Sequence, residues 1–306
     1  MTLEELKKII PNSKNWIDAE EITFGWSGEQ KYKVKTTLGE ELLLRILSFE
    51  QFEKQKDGIE FLSNSSKVLN TVPKIFAQGT TLDNTSYYLL LNYIKGNNGM
   101  NQIEKLNKTQ QYNIGIKMGK IIKELHAITP QQINKQYNKE FLEKIDKYYA
   151  FFTENKAKFA FLHNTEENLI NLKNIVKTRP VVMIHNDFHL GNMIINKNEI
   201  SLIDFNRATL GDNIKEFDCI AWSATHSEEF ATGLLDAYLE NENKEEFFNI
   251  LRKYISLWEL QMLSFIETED DEERNIVLNL IKYTESWFDK NNIIPNWYLK
   301  NTKKEL

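Results

Sequence analysis

The side chains best suited to chemistry lie in two stretches, Ile184-His185-Asn186-Asp187-Phe188-His189-Leu190-Gly191-Asn192 and Leu202-Ile203-Asp204-Phe205-Asn206. In an antiparallel hairpin with a two-residue turn at Lys197-Asn198, residues whose numbers sum to about 395 face each other, which sets Asn192 opposite Ile203 and beside Asp204. A carboxamide oxygen and a carboxylate then converge. Few, hard oxygen donors suit Mg²⁺, whose other positions go to waters and substrate phosphates. Asp187 lies a short loop before Asn192, and that loop brings its carboxylate to the same mouth as a base that orients and deprotonates an attacking hydroxyl. The layout suits phosphoryl transfer. Each residue alone reads as a turn former at a hairpin end, so the argument rests on the combination. A transition-metal set of His185, Asp187 and His189 is the rival. Those histidines share a face only on a helix, and the flanking pattern is strand and loop.

The elements that must hold these residues follow from periodicity. Residues 22–47 are strand-like: 32–36 alternates, Thr37-Leu38-Gly39-Glu40 has turn chemistry, and 41–47 is a short apolar run. Ser48 with Gln51 forms a capping box, after which Phe49, Phe52, Ile59 and Leu62 recur at helical spacing despite Gly58. Residues 72–77 and 87–93 are further strand candidates around the turn-rich 79–84, and Lys95-Gly96-Asn97-Asn98-Gly99 then breaks the pattern. The break divides the chain into an amino-terminal domain, 1–94, and a carboxy-terminal one, 95–306. Beyond it helices dominate, around 114–128, 141–152 and 228–287, with two short strands flanking Asn196-Lys197-Asn198-Glu199 as the exception.

Length and composition bound the function. A chain of 306 residues with 41% hydrophobic and 27% charged residues, 12 Gly and 5 Pro has the balance of a packed globular protein. A formal charge of −6 argues against a nucleic-acid partner. The single cysteine, Cys219, cannot form an internal disulfide and is expected to pack as a small apolar residue. Charges interrupt the first apolar residues before a signal-peptide core forms, and no long apolar run spans a bilayer, so a cytoplasmic protein without a membrane partner is expected.

Arg45 stands inside the apolar run Leu42-Leu43-Leu44-Arg45-Ile46-Leu47. A guanidinium there must either reach an anion or run along apolar surface to water, as on an edge strand. Gly25-Trp26-Ser27-Gly28 is a glycine turn whose backbone N–H groups, at Ser27 among others, can approach phosphate. Glu53, Asp57 and Glu60 share a helix face after Arg45: either one of them positions it or none does, the row then being a solvated face.

The spacing His185-x-Asp187-x-x-x-x-Asn192 with Asp204-Phe205-Asn206 is similar to the kinase catalytic loop and metal-binding triplet. The wording HNDFHLGN…LIDFNRA resembles the aminoglycoside phosphotransferase and choline kinase-like family, and residues 115–128 and Ile293-Ile294-Pro295-x-Trp297-Tyr298 extend the likeness. Protein kinases usually carry Arg where this chain has Asn186 and Gly where it has Asn206. The resemblance implies an α+β, two-lobed, protein-kinase-like fold: a small antiparallel sheet with one main helix, then a larger, mainly helical lobe. It implies that Asp187 is the catalytic base, that Asn192 and Asp204 hold Mg²⁺, that His185 braces the loop and that Arg45 holds the phosphates of ATP or GTP. It also implies that backbone near Asn92 and Ile94 meets the purine edge, and that Asp212 and Asp218 have structural roles in supporting the loop.

The acceptor is then a small-molecule hydroxyl. An acidic run, Glu267 and Glu269-Asp270-Asp271-Glu272-Glu273, favours a cationic one such as an aminoglycoside, unless it is a solvated loop. Trp222, Trp258 and Trp287 either stack on the acceptor or belong to the core. The alternatives are a housekeeping kinase for choline, another small alcohol, a sugar or protein hydroxyls, and a nucleotide-binding regulator of the same fold.

Overall fold

The computed structural model describes residues 1–23, 28–267, 270–288 and 292–302. Residues 1–96 with 201–208 make one unit, and residues 97–200 with 209–306 make the second. The short return of the chain to the first unit carries Asp204 and Asn206.

In the first unit, α1 (Leu3–Ile9) precedes β1 (Trp16–Glu21), β2 (Gln30–Thr36), β3 (Glu41–Leu47), α2 (Phe49–Ser65), β4 (Ile75–Thr80) and β5 (Tyr87–Asn92). The five strands form an antiparallel sheet in the order β1-β2-β3-β5-β4. Alternation buries Tyr32 and Val34 of β2 and Leu42, Leu44 and Ile46 of β3 in a cluster with Leu6, Trp16 and Tyr88. β3 is the central strand, so Arg45 is not at an edge and cannot lean out to water along the sheet rim. β4 begins at Ile75 rather than at residue 72. Val72 is buried ahead of Pro73, which has no N–H for a ladder, and Gly79 and Thr80, expected as turn, pair with β5 instead. The sequence left α1 and β1 unassigned; β1 buries only Trp16 at its start, so an edge strand of charged residues carries no alternation.

The capping box of α2 is present: Gln51 N–H donates to Ser48 Oγ and Ser48 N–H to Gln51 Oε1. Gly58 lets this helix meet the 3₁₀ turn Phe205–Arg207, because a Cβ there would lie 2.2 Å from the Phe205 carbonyl oxygen. Gly58→Ala is therefore expected to lower unfolding free energy by about 1–3 kcal/mol, a cost of overpacking against backbone that cannot swing aside, read by denaturant titration.

The second unit contains β6 (Asn97–Asn98), α3 (Gly99–Ile103), α4 (Lys108–Ala127), α5 (Lys135–Glu154), α6 (Thr165–Ile175), β7 (Val182–Ile184), β8 (Met193–Asn196), β9 (Glu199–Leu202, which leads into the returning segment), β10 (Thr209–Gly211), α7 (Ala221–Ala224), α8 (Glu228–Tyr238), α9 (Lys244–Phe265), α10 (Asp271–Glu285) and α11 (Asn296–Thr302). The turn between β8 and β9 falls at Lys197-Asn198, with Lys197 left-handed (φ 55°). β7 pairs with β10, Ile184 opposite Thr209, and fixes where the chain leaves the sheet for His185. Gly115 and Gly119 of α4 and Gly233 of α8 let those helices touch backbone to backbone. Among the described residues no helix is long and apolar enough to cross a membrane.

Candidate active site

His185 follows the last residue of β7 and is fully buried, while Asn186 turns left-handed (φ 62°) and swings Asp187 outward. The Asp187 side chain is 27% exposed. Asn192 Nδ2 donates to the Asp187 carbonyl (2.8 Å) and to Asp187 Oδ2 (2.9 Å), so the structure brings these two predicted residues together. With its nitrogen committed, Asn192 leaves Oδ1 without a hydrogen bond among the described residues, which is the oxygen a hard cation requires. His189 Nδ1 accepts from Gly191 N–H (3.1 Å), and its Nε2 lies 3.6 Å from Asp187 Oδ1. No group of three or more His, Cys, Asp and Glu side chains able to hold a metal occurs among the described residues, so the rival set His185, Asp187 and His189 is not assembled.

The loop is held from beneath by Glu216, which sequence reasoning passed over. Its Oε2 accepts from His185 N–H (2.6 Å) and its Oε1 from Asn186 N–H (2.8 Å), while His126 Nε2 lies 3.1 Å from Oε2 and His126 Nδ1 meets Tyr238 Oη at 2.9 Å. Burial alone would raise the Glu216 pKa, but the His126 hydrogen bond, the His126 and His185 rings and the His185 N–H together hold it below the usual carboxylate value. Lys215 Nζ donates to Asn186 Oδ1 (2.7 Å) and pairs with Asp218 (3.2 Å), so Asp218 supports the loop at one remove. Burial raises the Asp218 pKa in spite of that lysine. Asp212 instead ties Arg179 and Tyr254 Oη. Cys219 is buried against the Phe188 carbonyl, and desolvation pushes its thiol pKa well up, which makes it packing rather than a nucleophile.

In the first unit Arg45 is 6% exposed and fully engaged on one edge. Nε and Nη2 donate to Glu29 Oε2 at 2.9 and 2.7 Å, Nη2 donates to Gln55 Oε1 at 2.8 Å, and Nη2 also donates to Asn206 Oδ1. Asn206 Nδ2 returns a bond to Glu29 Oε1 (3.1 Å), and Lys31 Nζ lies 3.3 Å from the same oxygen. The helix acids expected beside Arg45 are elsewhere: Glu53 pairs with Lys56 on the exposed face, and Asp57 and Glu60 are exposed. The helix supplies the neutral Gln55, and the carboxylate comes from the loop before β2. Asp204 is left-handed (φ 66°) at the start of the 3₁₀ turn that carries Asn206.

Asn92 closes β5 opposite Leu42, and its side chain accepts from Lys74 N–H (2.6 Å). Tyr93 N–H donates to Glu41 O, whereas the Ile94 N–H has no hydrogen bond among the described residues. Ser27, the other donor-binding candidate, lies outside the described residues, as do Gly25 and Trp26.

Within the second unit a pocket of about 710 Å³ is lined by Trp222, His226, Glu228, Glu229 and Tyr283 among others. The Trp222 ring lies 6.3 Å from that of His189, which sets the pocket beside the Asp187 loop. Glu229 pairs with Lys108, and Glu228 meets Tyr283 Oη at 3.3 Å. Burial, with the Glu228 charge adding to it, pushes the Tyr283 hydroxyl up to about 12. Among the described residues the acidic run does not line this pocket: Glu267 pairs with Lys158, Asp270 caps α10 and Asp271 pairs with Arg274, while Glu269 lies outside the described residues. Trp258 and Trp287 are core.

No curated protein matches the chain. Among solved structures, the streptomycin–ATP ternary complex of an aminoglycoside phosphotransferase shares 17% identity, covers 91% of this chain and 93% of its own, and superposes with a TM-score of 0.60. The GDP complex of wild-type aminoglycoside 2'-phosphotransferase-IIIa shares 13% identity over 90% and 95% of the two chains, with a TM-score of 0.63. Choline kinase from Cryptosporidium parvum Iowa II shares 15% over 96% and 97%, with a TM-score of 0.60. These likenesses give the α+β, protein-kinase-like fold. Sequence gives the rest: residues 18–248 match the phosphotransferase enzyme family, and the chain belongs to that family.

Proposed function

We propose that this phosphotransferase is a small-molecule kinase that moves the γ-phosphate of ATP or GTP onto a hydroxyl of an aminoglycoside-like antibiotic. The observation that carries phosphoryl transfer to a hydroxyl is the Asp187–Asn192 pair on a loop whose amides are anchored by buried Glu216. Asp187 orients the acceptor hydroxyl and takes up its proton as the oxygen attacks the γ-phosphorus and the nucleoside diphosphate leaves. Arg45 steadies the donor phosphates, and backbone at Asn92 and Ile94 meets the base. Asn192 Oδ1 and the Asp204 carboxylate are hard donors that fit Mg²⁺, which would neutralise charge on the triphosphate when bound. A nucleotide donor and a lone buried cysteine fit a cytoplasmic setting.

A second reading, a kinase for choline or another small cationic alcohol, is favoured by Trp222, Tyr283 and Glu228 lining one pocket, since an aromatic face beside a carboxylate also receives a quaternary ammonium. The deciding experiment assays aminoglycosides, choline, amino alcohols and sugars with ATP and with GTP, following acceptor-dependent release of nucleoside diphosphate. Release with aminoglycosides alone supports the first reading, and release with choline alone moves the assignment to the second. Nucleotide binding without any acceptor-dependent turnover would turn both aside in favour of a regulator. Trp222→Ala is expected to raise acceptor KM about 2- to 30-fold, equivalent to about 0.5–2 kcal/mol of ring contact, with nucleotide KM unchanged.

A further inference from the structure

Resting on the reading of Arg45 as the donor-phosphate cation, we propose that Glu29 is its positioning residue. The carboxylate aims the guanidinium from the loop before β2, in the place where a helix acid was expected.

Three observations carry this. Glu29 is the only carboxylate bonded to Arg45 among the described residues, its side chain is wholly buried, and it accepts from both Nε and Nη2. Both N–H groups of that edge converge on the single oxygen Oε2, which holds the Nε–Nη2 edge against the carboxylate more tightly than one contact would. Second, Gln55 and Asn206 also take Nη2, so every hydrogen bond is on the Nε–Nη2 side, and Nη1 has none among the described residues. The guanidinium is held by one edge with its other nitrogen available to an anion. Third, Asn206 Nδ2 donates to Glu29 Oε1, which closes a ring of Arg45, Glu29 and Asn206. Glu29 thus ties Arg45 to the turn that begins at the candidate metal ligand Asp204.

Among the described residues Lys31, opposite Arg45 across the β2–β3 ladder, shares the Glu29 carboxylate, so Arg45 is not the sole cation that Glu29 pairs with. A neutral Gln55 on α2 leaves the helix without a charge of its own at this point.

The sign of one measurement separates positioning from blockage. Glu29→Gln removes the charge that aims Arg45, and the dissociation constants of Mg·ATP and Mg·GTP, read by titration calorimetry, are expected to rise about 10- to 100-fold, the range of a lost charge-assisted hydrogen bond. If Glu29 merely competes with phosphate for Arg45, the same substitution tightens nucleotide binding, and the proposal is overturned. Unchanged binding overturns it as well. Rescue distinguishes aiming from general stability: in the Glu29→Gln, Gln55→Glu double variant a carboxylate is restored to Arg45 from α2, and affinity is expected to recover to within a few-fold of wild type. A double variant that melts like wild type without regaining affinity counts against the proposal. If Glu29→Gln alone does not fold, the double variant still decides, by the same affinity. A wild-type chain that binds neither nucleotide overturns the donor-site reading itself, whereas wild-type binding with an unaffected Glu29→Gln variant removes the role of Glu29 alone.

Discussion

Asp187→Ala is expected to lower turnover by about 10²–10⁴, the usual contribution of a positioned general base and equivalent to about 3–5 kcal/mol of barrier, while Mg·nucleotide binding is kept. Alanine is the informative replacement because it removes the carboxylate without unseating its neighbour. Asn192 Nδ2 loses the bond to Oδ2 but keeps the one to the carbonyl of residue 187, so Oδ1 stays oriented for a cation. The loop keeps its anchor too, since Glu216 holds the amides of His185 and Asn186 rather than any side-chain atom of Asp187. A fall in kcat with an unchanged nucleotide dissociation constant, measured under single turnover with saturating acceptor, is the expected signature. Turnover within a few-fold of wild type would remove Asp187 as the base.

What sequence exposes and what it hides is clearest at two acids. Arg45 was legible as a committed cation because it interrupts an apolar run, and its central position in β3 removes the option of leaning out to water. On the following helix Glu53, Asp57 and Glu60 align as candidate partners. Helical periodicity shows only that those acids share a face, and that face is solvated. The signal for Glu29 lay in the hairpin: the turn at residues 37–40 sets Lys31 opposite Arg45, and Glu29, two residues along, continues on the same side. Asn206, noted as a departure from kinases, is explained by its bonds to Arg45 and Glu29. Glu216 was not legible for a different reason. In Lys215-Glu216-Phe217-Asp218 the chain forms a 3₁₀ turn, and neither helical nor strand spacing shows which acid points inward. The hairpin turn at Lys197-Asn198 and the α2 capping box were legible because each depends only on residues close in sequence.

Glu216→Gln is the second large effect, and it separates loop anchoring from proton transfer. The carboxylate offers acceptors to three donors: two backbone N–H groups, and a His126 N–H. A glutamine keeps one acceptor oxygen and turns an N–H₂ toward a donor, leaving at least one buried N–H unpaired at a cost of about 1–3 kcal/mol. Loss of the buried charge that these three donors stabilise adds to this, because hydrogen bonds to an ionised acceptor are the stronger ones. Denaturant unfolding at neutral pH should therefore show a destabilised variant, with kcat reduced because His185 and Asn186 no longer fix the Asp187 backbone. The pH dependence gives the sign. The folded-state pKa of Glu216 lies below the unfolded value, so its ionisation stabilises the fold above about pH 4.3. That contribution is lost as pH falls through the lowered folded value. The stability gap between wild type and Glu216→Gln should be full at neutral pH and narrow in acid, where the wild-type carboxyl is protonated as well. A gap that stays constant down to the acid transition would mean that Glu216 acts by shape alone, and the charge would then have no part in holding the loop.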